Sequence, residues 1–126
     1  VPCVFDRKYT WYCFDKLDVT AMKKAATLLV GEHDFKAFCS NKRTNKSTVR
    51  EIYDIDIYAD TRELQITVYG NGFLYNMVRI IVGTLIEVGK GERRPEEMTA
   101  ILESRDRTKA GATAAAQGLF LQEVEY

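Results

Sequence analysis

Arg79 stands in the middle of the most apolar stretch of the chain, Gly72-Phe-Leu-Tyr-Asn-Met-Val-Arg-Ile-Ile-Val-Gly83, which runs on through Thr84-Leu-Ile-Glu-Val88. The pattern predicts one long helix buried on most sides. A guanidinium keeps its proton, so a buried one must be paired. On the helical wheel Gly72, Asn76, Arg79 and Gly83 recur at three- and four-residue steps. They form one narrow stripe, polar or small, on a greasy surface. The chemistry this suggests is the holding of a carboxylate. Glu87 lies two turns further on, about 12 Å by helix rise, too far for a direct pair. The partner of Arg79 is therefore expected from another element or another chain. An arginine on an apolar helix can also snorkel to water along its own stem. Two features favour a site instead: the glycines leave room for an approaching group, and Asn76 adds a second directional polar group one turn away.

Few other residues could do chemistry. Cys3, Cys13 and Cys39 are odd in number and have no C-x-x-C spacing. They suggest neither a disulfide framework nor zinc, and fit reduced thiols in the cytoplasm. His33 lacks metal-ligand company and is expected at a helix exit. The formal net charge is zero, so a nucleic-acid footprint must be local. Basic residues gather in three loops: Lys42, Arg43, Lys46 and Arg50; Lys90, Arg93 and Arg94; Arg105, Arg107 and Lys109. These are solvated loops or, if they converge at one sheet edge, a surface for a phosphate backbone.

The 126 residues, 46% apolar and 29% charged, suffice for one globular domain with a real core. No signal peptide opens the chain. The apolar run at 73–88 is shorter than the roughly 20 residues of a membrane span, so no membrane is implied. The first residue is Val1, which suggests a piece cut from something longer.

The elements that must position Arg79 are readable in order. The aromatic stretch 1–16 is expected to be extended and irregular. Asp18 caps a helix with Met22, Ala25, Ala26 and Leu29 at helical spacing, ended by Gly31. Phe35 and Phe38 anchor a short turn. Tyr53, Ile55 and Ile57, then Leu64, Ile66 and Val68, alternate with polar or outward residues as a hairpin with one buried face. The Arg79 helix follows. Pro95 opens a short helix with Met98, Ile101 and Leu102. A loop at 105–117 leads to a last strand at 118–126. Its consecutive Leu119, Phe120 and Leu121 suggest cover on both faces or a central place in a sheet. The order matches a ferredoxin-like α+β unit, an antiparallel sheet packed by helices. Its first strand either comes from the aromatic stretch or lies upstream of Val1.

The motif at 72–89 resembles the C-terminal half of the TruA family of tRNA pseudouridine synthases. The likeness continues through Leu-Asp at 17–18, Gly-Glu-His-Asp-Phe at 31–35 and Val-Arg at 49–50. It resumes with Ser-Arg-Asp-Arg at 104–107, Ala-Gly at 110–111, Thr-Ala at 113–114 and Gln-Gly-Leu at 117–119. It covers nearly the whole chain. The resemblance implies half of a two-domain fold with a shared central sheet and the active-site cleft between the halves. The implied enzyme is a cytoplasmic homodimer without cofactor or metal. It isomerises uridine to pseudouridine at positions thirty-eight to forty of the tRNA anticodon stem-loop.

The family's catalytic aspartate sits in an Arg-Thr-Asp-x-Gly-Val-His type motif that this chain lacks, and its active-site tyrosine belongs upstream of Val1. Residues 1–126 would then be the C-terminal domain, completing a site whose aspartate an N-terminal domain carries. Arg79 corresponds to the arginine that pairs with that aspartate. Asn76, Phe73 and Leu119 are assigned to substrate binding, with Leu119 lining the uracil pocket. Lys42, Arg43, Lys46, Arg50, Arg93 and Arg107 are assigned to the RNA backbone. Asn76 stands where many relatives carry histidine, and Ala112, Ala115 and Ala116 where many carry proline. The rival class is a non-catalytic RNA-binding or dimerisation module of ferredoxin-like fold. No strand here shows the aromatic pattern of a sheet-face RNA binder.

Overall fold

The Asp18 carboxylate accepts from the Ala21 N–H at 3.1 Å, filling one of the donors that a helix start leaves open. The helix it caps, α1, spans Val19–Leu29 and buries Met22, Ala25, Ala26 and Leu29, as their spacing predicts. Val30 is extended and ends it. His33 closes this exit, with Nε2 3.0 Å from the Val30 carbonyl. In this computed structural model the described residues are 7–13, 17–39, 47–59, 64–73, 76–114 and 119–123.

Five strands form one sheet in the order β2-β3-β4-β1-β5. They are β1 Arg7–Cys13, β2 Gly31–Asp34, β3 Val49–Ala59, β4 Leu64–Gly70 and β5 Leu119–Glu123, and every pairing is antiparallel. The aromatic stretch thus supplies the first strand, β1, between β4 and β5. With β2 set aside as an added edge strand, the order is the ferredoxin-like one. β2 is absent from the sequence reading because four residues are too few for an alternation to register. Lys36–Phe38 after it form a short 3-10 turn. There Phe35 and Phe38 are fully buried, edge to face with centroids 6.1 Å apart.

The β3–β4 hairpin has Ile55 opposite Val68 and Ile57 opposite Ile66, all buried. One expectation is corrected here. Alternation puts Tyr53 on the face of Ile55 and Ile57, yet Tyr53 is 42% exposed and Ile52 is buried. The register shifts between Ile52 and Asp54, and an irregularity of this bulge type moves the residues before it to the other face. A second correction concerns one of the two explanations offered for the last strand: β5 is not central but lies at the sheet edge opposite β2 among the described residues. The other explanation, cover on both faces, rests on side chains that lie outside the described residues.

The third correction bears on the site. The helix α2 spans Met77–Gly89 and does not begin at Gly72. Asn76 is left-handed, with φ 60°, and a helix cannot run through such a residue. Gly72 therefore leaves the stripe and lies beside Arg50; a methyl group on it would be 3.9 Å from Arg50 Nε. Asn76, Arg79 and Gly83 remain together. α2 is buried on most sides and packs on α1, which also meets β3 and α3, the helix Glu97–Ser104. No helix among the described residues is long and apolar enough to cross a membrane.

Candidate active site around Arg79

The left-handed turn at Asn76 delivers its side chain to Arg79. Arg79 Nη1–H donates to Asn76 Oδ1 at 3.3 Å, and Nε–H donates to the Ala114 carbonyl at 2.8 Å. The Ala114 N–H in turn donates to the Arg79 carbonyl at 2.9 Å. The guanidinium is half-buried and held on two sides. Among the described residues no carboxylate lies within ion-pair distance of it. Two neutral acceptors orient its charge without neutralising it, and Nη2 has no partner among the described residues. Such a group can hold an incoming carboxylate with geometric precision.

The segment 110–114 makes this possible by lying directly on α2. A methyl group on Gly83 would sit 1.7 Å from the Ala112 carbonyl oxygen, so only glycine admits the loop there. Thr84 Oγ1 donates to the Ile80 carbonyl at 2.7 Å and accepts from the Gly111 N–H at 2.8 Å. Glu87 Oε2 accepts from the Ala112 N–H at 2.9 Å. Its other oxygen accepts from Arg93 Nε–H at 2.7 Å, and Arg93 Nη1–H donates to the Lys109 carbonyl at 2.8 Å.

Burial pushes the Glu87 carboxyl up. The Arg93 hydrogen bond, the Ala112 N–H and the charges of Arg93 and Lys90 outweigh it and hold the group below its ordinary value of 4.5. A depressed carboxylate contributes stability above its unfolded pKa, which is lost as pH falls through the folded one. Glu87→Gln is therefore expected to flatten the loss of thermal stability on going from about pH 5 to about pH 3. Parallel melting curves for the two proteins across that range would contradict this.

The other residues singled out in the sequence divide. Phe73 is half-buried and packs on the core. Leu119 begins β5 opposite Trp11; its side chain lies outside the described residues, as do Lys42, Arg43 and Lys46. Arg50 turns back on its own strand, Nη1 donating to the Ser47 and Val49 carbonyls at 2.7 Å each. Arg93 has its guanidinium occupied by Glu87 and Lys109, and Arg107 Nη2 reaches Thr113 Oγ1 at 3.3 Å. Both arginines brace the loop beside α2. The sequence reading missed Thr84, Glu87 and the backbone of Ala112 and Ala114. Gly83, met in the fold by Ala112 and Ala114, was the available signal, because small residues mark close approach of backbones.

A ferredoxin-like sheet thus carries an arginine that is held by neutral acceptors and has no carboxylate within ion-pair distance among the described residues. The chain belongs to the tRNA pseudouridine synthase family, whose profile matches residues 25–126. It is 52% identical over 126 residues to tRNA pseudouridine synthase A of Brevibacillus brevis, covering 100% of this chain and 52% of that protein. It is 49% identical over 120 residues to tRNA pseudouridine synthase A 2 of Clostridium tetani, 95% of this chain and 48% of that protein. With tRNA pseudouridine synthase A of a Thermoanaerobacter species the identity is 48% over 120 residues, 95% of this chain and 49% of that protein. The chain thus spans about half the length of these curated relatives.

Proposed function

We propose that residues 1–126 are the C-terminal domain of a tRNA pseudouridine synthase. The complete enzyme isomerises uridine in the anticodon stem-loop, at positions thirty-eight to forty, and an N-terminal domain brings the catalytic aspartate. The observation that carries this reading is Arg79: half-buried, fixed by Ala114 and Asn76, and without a carboxylate among the described residues. A cation in that state favours the ionised form of an aspartate placed against it. The match to half of each relative supports a second domain, and the sheet edge at β5 is where a shared sheet could continue. The target base has to leave its stack to reach such a site. The enzyme is read as a cytoplasmic homodimer that needs no cofactor or metal.

The test compares this chain with the complete enzyme on unmodified tRNA, with pseudouridine detected by carbodiimide labelling. The complete enzyme is expected to turn over repeatedly, and the chain alone to form none. Multiple turnover by the chain alone would sink the reading.

Lys42, Arg43 and Lys46 are proposed to grip the RNA backbone. Neutralising all three is expected to lower tRNA affinity and to reduce the slope of log affinity against log salt by somewhat under one unit per lost contact. Turnover at saturating tRNA should largely survive. An unchanged slope would leave this loop with no part in binding.

A further inference from the structure

The segment 110–114 is tied to α2 at four points, and one of them is a charged side chain that never touches Arg79. Ala114 commits both of its backbone groups to Arg79, the N–H to the carbonyl and the carbonyl to Nε–H. The place of Ala114 therefore sets the direction of the guanidinium. Ala114 belongs to a described stretch without regular structure of its own, so the bonds that hold the loop upstream bear on its place. There Glu87 receives the Ala112 N–H on one oxygen and Arg93 on the other, while Arg93 also holds the Lys109 carbonyl.

We propose that Glu87 is a positioning residue for Arg79, acting through this loop; the catalytic part of the proposal rests on the role given to Arg79 above. Its two bonds are charge-assisted, the strong kind. The carboxylate is only 23% exposed, so water does little to weaken them. The loop is pressed onto it: a methyl group on Gly111 would lie 2.5 Å from Glu87 Oε2. Thr84, the other anchor, is a neutral hydroxyl on a single N–H. Removing Glu87 leaves Arg93 with the Lys109 carbonyl and, as its nearest carboxylate among the described residues, the more distant Glu97 at 3.9 Å, and Ala112 without its acceptor. The loop is then free to carry Ala114 away from Nε.

The test is a double-mutant cycle in the complete enzyme with Glu87→Ala, Arg79→Ala and the pair. Glu87→Ala is expected to lower kcat about ten- to a hundredfold, the scale of an ångström-sized misplacement, with KM for tRNA little changed. On the Arg79→Ala background the same substitution should cost little more, because both act on one group. An equal fold loss on both backgrounds overturns the proposal. Independently of activity, the Arg79 Nε–H of this chain should exchange slowly with solvent in the wild type and much faster in Glu87→Ala. Unchanged exchange also overturns it. Should Glu87→Ala fail to fold, Glu87→Gln, which keeps one acceptor, should give an intermediate exchange rate. An inactive wild-type enzyme would remove the catalytic role of Arg79, while the exchange measurement would still decide the coupling.

Discussion

Arg79→Ala in the complete enzyme is expected to reduce turnover by about thirty- to a thousandfold, with tRNA affinity close to wild type. The cause is electrostatic. The proposed duty of Arg79 is to hold one carboxylate, and losing such a partner typically raises a barrier by about 2–4 kcal/mol. On the same proposal tRNA affinity rests on phosphate contacts made by other residues, so it should survive the substitution. Arg79→Lys should recover only part of the loss. An ammonium is a point charge on a flexible stem and cannot bond Ala114, Asn76 and a carboxylate from one rigid plane. Single-turnover rates and binding curves measured side by side decide the matter. Wild-type turnover in the alanine variant would mean that Arg79 merely braces the loop.

Gly83→Ala separates two effects of opposite sign. In an exposed helix interior the change stabilises by about 1 kcal/mol, since alanine is the better helix former. Here the new methyl group would meet the Ala112 carbonyl oxygen at 1.7 Å. That oxygen is backbone and cannot swing aside as a side chain would. Overpacking of this kind costs about 1–3 kcal/mol and sometimes more, and relief requires the loop to lift from α2. Lifting it breaks the bonds between Ala114 and Arg79. The net expectation is a stability loss of about 3 kcal/mol, a melting temperature lower by roughly 10 °C and fast exchange of the Arg79 Nε–H. A variant that melts at or above the wild-type temperature would show that helix propensity prevails and that the loop does not press on Gly83.

The sequence by itself determined the elements whose signal is local. Asp18 and the spacing of Met22, Ala25, Ala26 and Leu29 specify α1, because capping and one-sided burial act within a few turns. The apolar run around Arg79 specifies a buried helix with a cation that must be oriented. The same run could not show where that helix begins. The left-handed backbone of Asn76 is a choice among allowed conformations, and it depends on the groups packed around it. The irregularity at Tyr53 was hidden for a similar reason, since a shift in register is a relation between two strands and leaves no mark on the alternation of one.

Tertiary structure alone decided the roles of the charges. Arg93 and Arg107 belong in the sequence to basic loops, yet in the fold both turn toward the 107–114 segment. Glu87, two turns from Arg79 and too far to pair with it, found Arg93 six residues along the chain and Ala112 twenty-five away. A charge carries no address in sequence. Its partner is set by which backbones can approach, and here that approach depends on Gly83 having no side chain.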